Sequence, residues 1–196
     1  GKDTFFLPFN KGVNDGAGNP VNLKGLKTDY LWKETLTKQS LSNIVENYAQ
    51  IVEETDEDTG KIKLKLIFPR YHQIRAVIKL LKDAKTNGVG QRYLIQHSAG
   101  SGKSNSITWL AHQLVSLHNT ENSDAIFDSV IVVTDRKILD KQIRDNIKQF
   151  AQVNKVVEAI EKCSKQLKEA LEDGKKIIVT TVQKFPFIID EIGTLQ

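Results

Sequence analysis

The sequence predicts an α/β domain, a parallel β-sheet with helices on both faces, preceded by an extension of little regular pattern. Three observations predict it. Short continuous apolar runs, at residues 130–133 (VIVV) and 176–181 (KIIVTT), read as strands buried on both sides. Stretches of helical period alternate with them, as parallel pairing requires. A glycine-rich segment, HSAGSGKS at residues 97–104, lies between a candidate strand and a candidate helix.

Taken in order, residues 1–38 are rich in Gly, Asn, Pro and Lys, and GVNDGAGNP (residues 12–20) reads as turns. The pieces FFLPF and YLW carry enough apolar surface to dock on a neighbour, so this region reads as a packed connector. Ser40 is the expected N-cap of a helix reaching about Glu54, its face formed by Leu41, Ile44, Val45, Tyr48 and Val52. EETDEDTG then turns, and KIKLKLIF (residues 61–68) alternates as a half-exposed strand does. Pro69 opens a helix with an apolar stripe of Ile74, Val77, Ile78 and Leu81, ended by Asn87-Gly88. RYLIQ (residues 92–96) is an expected strand, and a helix runs from Lys103 to about Leu117. A helix from Arg136 to Phe150 turns Leu139, Ile143 and Ile147 inward. A short strand near Val156–Val157 and a helix from Gln166 to Glu172, stopped at Gly174, complete the pattern.

Charge divides the chain. Residues 1–60 hold six basic and ten acidic side chains, and residues 61–196 hold 22 basic and 14 acidic. A basic second part suits a polyanion such as DNA, although an ordinary solvated surface has the same look. No apolar run approaches bilayer length, and the opening residues lack the basic start and apolar block of a secretory leader. One cysteine, Cys163, forms no internal disulfide. A cytoplasmic protein without membrane contact is expected. The chain does not begin with Met, which fits a piece of a longer protein. His72, His97, His112 and His118 are not at metal-ligand spacing.

The loop carries the chemistry. Backbone amides can wrap a β-phosphate only where side chains are small, and Ser98, Ala99, Gly100, Ser101 and Gly102 meet that need. Lys103 would reach the β- and γ-phosphates, and the Ser104 hydroxyl would ligate Mg²⁺. The helix that starts there points its positive end at the anion. His97 stands where the common phosphate-loop pattern has Gly. Upstream, in FPRYHQ, the Gln73 amide offers one donor and one acceptor, matching adenine N6 and N7. Arg70 would support the base or a phosphate, with Tyr71 beside the ring. Gln73 also reads as an ordinary first-turn helix residue.

Two further segments end strands in polar residues: Thr134, Asp135 and Arg136, then Thr180, Thr181, Gln183 and Lys184. Ligands in open parallel sheets lie beyond the carboxyl ends of strands, so these rims are candidates for holding nucleic-acid phosphates. Simple capping by Asp135 is compatible with that.

These segments together resemble the motifs of superfamily 2 helicases and translocases. FPRYHQ resembles the glutamine motif, HSAGSGKS motif I, VTDRKILDKQ motif Ia and TTVQKF motif Ib. Their wording, His97 included, is most similar to the R subunit of type I restriction enzymes, and TFFLPFNKG, GNP and TDYLW are similar to that family's bridge between nuclease and motor. The resemblance implies a RecA-like lobe over residues 61–196 and a connector over residues 1–60. It implies ATP and Mg²⁺ as cofactors, duplex DNA as track, and modification and specificity subunits as partners. The whole protein would couple ATP hydrolysis to DNA translocation and cleavage. Asp190-Glu191 mimics a Walker B pair, but Pro186 interrupts the strand such a pair needs, and it is read as a decoy. The lobe is then expected to stop short of Walker B, leaving the segment to bind nucleotide with little hydrolysis. Other readings remain: a superfamily 2 helicase without nuclease, a phosphate-loop kinase or switch, and a non-catalytic scaffold.

Overall fold

The computed structural model describes residues 9–13, 18–55, 59–120, 123–135, 137–150, 157–160 and 164–184. Arg136, Cys163, Asp190 and Glu191, on which expectations were placed, lie outside them, as does the Leu139 side chain. The chain divides into two compact units, Gly1–Ala76 and Val77–Gln196.

In the first unit a π-helical turn, Leu31–Thr35, precedes helix α1 (Lys38–Asn47). The cap of α1 is Thr37, whose Oγ1 accepts from the Ser40 amide at 3.3 Å, three residues earlier than the sequence implied. Ile44 and Tyr48 are buried, while Leu41 and Val45 are exposed. The expected continuation to Glu54 is not formed. Residues Gln50–Thr55 are instead strand β1, paired antiparallel with β2 (Ile62–Ile67) from Gln50↔Ile67 to Thr55↔Ile62. The β-branched run Ile51-Val52 favours the pleated state, and the partner strand decides it. Ile51, Ile62, Leu64 and Leu66 share one face of this hairpin and remain 64–71% exposed. The half-burial expected from the alternation of β2 is therefore not realised on its apolar side. The other face carries the Lys65–Glu54 ion pair at 3.1 Å.

Helix α2 (Tyr71–Asn87) follows Pro69 as expected and buries Ile74, Val77 and Ala84. Gly88, at φ +69°, ends it in the left-handed conformation that glycine adopts without strain.

In the second unit β3 (Val130–Thr134), β5 (Ile177–Thr181) and β4 (Val157–Ala159) form a parallel sheet in the order β3-β5-β4. Helices α3 (Lys103–Val115) and α4 (Lys137–Phe150) cover one face. Ala111, Ile143 and Ile147 pack there against Val132, Val157, Ile177 and Val179. The opposite face is covered by α5 (Ser164–Glu172), whose Leu167 and Ala170 meet Ile178 and Ile160. The cover is unequal. Every residue of β5 is buried, but Ile131 and Val133 of β3 are 39% and 45% exposed, so β3 is not enclosed on both faces as its apolar run implied.

Residues 92–96 form no strand. A strand requires a ladder partner, and none of the described residues pairs with them. Leu94 is 93% exposed, and the segment is held instead by the Tyr93 hydroxyl, which donates to the Asp83 carboxylate of α2.

His112, on α3, is largely buried. Its Nε2–H donates to the Ile147 carbonyl of α4 at 3.1 Å, and its ring lies 4.9 Å from that of Phe150. Burial holds the imidazole below its ordinary 6.5, against the upward pull of the carbonyl. A depressed histidine stabilises the fold fully above the unfolded value and loses that contribution as pH falls through it. The unfolding free energy measured in urea is therefore expected to drop between pH 7 and pH 5.5, by up to about 1.4 kcal/mol per pH unit for one proton. His112→Gln is expected to flatten that part of the profile, and an identical pH dependence in the two proteins would refute it. No helix among the described residues is long and apolar enough to cross a membrane.

Candidate nucleotide-binding site

The glycine-rich segment turns sharply before α3. Gly100 has φ +72° and Gly102 φ +79°, both left-handed, so the turn needs glycine on conformational grounds. A Cβ built at Gly100 would meet nothing within 4 Å, which leaves space on that side of the backbone. Gly102 is the N-cap of α3, and no side chain caps the helix. No side chain caps the Lys103 and Ser104 amides, a geometry suited to phosphate. The Gly102 carbonyl accepts from the Asn105 amide at 3.1 Å, which fixes the first turn.

Lys103 is exposed. Its Nζ donates to the carbonyl oxygens of Ser98 at 2.8 Å and His97 at 3.3 Å, folding the ammonium back over the loop. Phosphate oxygens could take the place of those carbonyls without a change in the helix. Ser101 is buried, at 8% exposure, while Ser98, Ala99 and Gly100 are exposed. Ser104 and His97 are half-buried, with Ser104 in the first turn beside Lys103. These residues fit Mg·ATP: small residues at the turn, one cation, and one hydroxyl adjacent to it.

Gln73 and Arg70 sit in the first unit. Gln73 is 3% exposed, and its Oε1 accepts from the Arg70 amide at 2.7 Å. This is the back-reaching half of a capping box, in which the fourth residue ties the first N–H of the helix. The Arg-x-x-Gln spacing was the signal for it. Beside Arg70 is a cleft of about 200 Å³ lined by Phe9, Leu36, Phe68 and Pro69. Tyr71 is held edge-on by the rings of Phe9, at 5.8 Å, and Tyr30, at 5.3 Å. Lys11 Nζ lies 4.8 Å from the Tyr30 ring and 3.3 Å from Glu34. The Tyr30 hydroxyl donates to the Phe9 carbonyl. The sequence marked FFLPF and YLW, which supply Phe9 and Tyr30, as docking pieces, but not that they meet on Tyr71, because the three come from distant segments.

The two polar rims are brought together. Thr134 pairs with Thr181 at the carboxyl ends of β3 and β5. The Gln183 amide, in the 3-10 turn Val182–Lys184, donates to the Asp135 carbonyl at 3.0 Å. Asp135 and Gln183 are exposed, whereas Thr134 and Thr181 are 7% and 5% exposed. The rim thus presents Asp135 and Gln183, and the two threonines close the sheet beneath them. Lys184 ends the turn.

A left-handed glycine turn opening a helix on Lys-Ser, beside a parallel sheet, defines the class: a phosphate-loop nucleotide-binding protein. Residues 72–194 match the family model described as SWI2/SNF2 ATPase. The match covers more than half of the chain, which therefore belongs to the SWI2/SNF2 ATPase family, a helicase-like class of ATP-binding motors. Use of ATP, with Mg²⁺ as its usual companion, follows from that membership. No curated protein and no solved structure matches the chain.

Proposed function

We propose that this chain is the ATP-binding motor segment of a type I restriction enzyme R subunit, which moves duplex DNA while hydrolysing ATP. The observation that carries the ATP reading is the loop geometry: Gly100 and Gly102 left-handed, with Lys103 folded over the His97 and Ser98 carbonyls at the start of α3. In this reading the loop amides and Lys103 hold the β- and γ-phosphates, and Ser104 holds Mg²⁺. Arg70 and Gln73 serve the base. Asp135 and Gln183, with Arg136, Lys184 and the backbone at Thr134 and Thr181, line the DNA track. The R-subunit assignment rests on His97 in the loop and on the wording of the four motifs. Modification and specificity subunits are the corresponding partners. Membership of the SWI2/SNF2 ATPase family also favours a second reading, a DNA translocase without nuclease.

In the full-length protein, Lys103→Ala is expected to abolish DNA cleavage far from the recognition site while leaving co-purification with the modification subunit intact. Cleavage at the wild-type rate would count against the motor. Wild-type protein that translocates but never cuts would select the second reading.

Gln73 admits a sharper test, because its amide oxygen already serves the helix. Gln73→Glu keeps an acceptor for the Arg70 amide and removes the N–H that would reach N7, an acceptor common to adenine and guanine. With its carboxylate at a site 3% exposed, the variant is expected to unfold at lower urea and, while folded, to bind ATP and GTP each about tenfold more weakly, the worth of one good hydrogen bond. Unchanged affinity for both nucleotides would restrict Gln73 to capping.

A further inference from the structure

Helix α2 buries one face through Val77 and Ala84, and the surface opposite carries Lys79, Lys82 and Lys85, all exposed. Their spacing of three and three places them within about 120° of the helix circumference and about 9 Å of its length. The helix contains one acidic residue, Asp83, and that carboxylate is engaged. It accepts from the Asn87 amide at 2.9 Å and from the Tyr93 hydroxyl. The Tyr93 tether also holds the exposed Arg92, its chain neighbour, beside the C-terminal half of the helix. Among the described residues none of these four cations has a hydrogen-bond or ion-pair partner.

Long basic side chains on a solvated helix face ordinarily alternate with carboxylates three or four residues away. Here the one carboxylate at that spacing, Asp83, four residues from Lys79, is taken by Asn87 and Tyr93, and like charges at this spacing repel by a few tenths of a kcal/mol per pair. An uncompensated cationic row fits a ligand that brings its own regular negative charge.

We infer that Lys79, Lys82, Lys85 and Arg92 form an auxiliary binding surface for the phosphate backbone of duplex DNA, separate from the rim at Asp135 and Gln183. The inference rests on the DNA reading given above. Each cation neutralises one phosphate and releases its counterion, so contacts here are independent of base sequence and steeply dependent on salt.

The test uses the 196-residue chain, a fluorescein-labelled 20-base-pair duplex, and anisotropy titrations at several KCl concentrations. Lys79→Gln/Lys82→Gln/Lys85→Gln is expected to reduce the slope of log K against log [KCl] by about 2 to 3, and to weaken binding about tenfold or more at 100 mM salt. The loss is expected to be equal for two unrelated duplex sequences. Glutamine retains helix propensity, and an unchanged thermal melt excludes loss of fold as the cause. If the melt shifts, the single variants, each expected to lower the slope by about 0.9, carry the test. A wild-type slope in the variants would overturn the inference alone. Absence of duplex binding by the wild-type chain even at low salt would overturn it together with the DNA reading. If the triple variant binds duplex normally but loses affinity for a poly-glutamate peptide, the surface serves an acidic protein and the inference fails.

Discussion

Lys103→Ala is expected to weaken Mg·ATP binding about 100-fold or more, measured by displacement of a fluorescent ATP analogue from the purified chain. The ammonium would supply charge-assisted hydrogen bonds to two phosphates, worth about 1.5–3 kcal/mol each. Its present partners, the carbonyls of His97 and Ser98, are backbone groups that water can satisfy at an exposed loop. The fold should therefore survive the change, and the unfolding free energy in urea should stay within about 0.5 kcal/mol of wild type. Ser104→Ala provides the companion measurement: affinity for ATP falls toward its Mg²⁺-free value, and added Mg²⁺ no longer strengthens binding. Wild-type affinity in the Lys103 variant would mean that the loop does not face phosphate.

Ile147→Ala is expected to destabilise the second unit by about 3–4 kcal/mol in urea denaturation, the usual cost of emptying an enclosed aliphatic site. Ile147 has no exposed surface and packs with Ile143 against Val132, Ile177 and Val179, joining α4 to two strands. The same residue offers the carbonyl that orients His112. The backbone bond persists in the variant, so a loss well above 4 kcal/mol would show that α4 undocks entirely. A loss below 1 kcal/mol would show that the sheet face closes over the gap.

What the sequence disclosed tracks how local each feature is. The phosphate loop was legible because a left-handed turn, a cap and a helix start are encoded within eight residues. Strands β3 and β5 were legible as apolar runs bounded by polar ends. Residues 50–54 read as helix because Leu41, Ile44, Val45, Tyr48 and Val52 keep a helical period, whereas the hairpin depends on Ile62–Ile67 further along the chain. The run at 92–96 has strand composition but no partner among the described residues, and composition cannot supply a ladder. Burial of Thr134 and Thr181 was hidden for the same reason: it arises from their mutual register at the ends of adjacent strands. Gln73 as a cap was open to sequence reasoning through its spacing, whereas His112 as a bridge was not open to it at all.

The bridge at His112 has a mechanical corollary. Helix α3 starts at Lys103 and reaches His112 about 14 Å further along its axis. A rod of that length, tilted by about 5° where its first turn meets a ligand, swings its far end by about 1.2 Å. The contact to Ile147 is 3.1 Å, so such a swing either ruptures it or drags α4 along. Since α4 begins two residues after Asp135, whatever fills the glycine turn can be felt at the polar rim as a small displacement passed along two stiff helices.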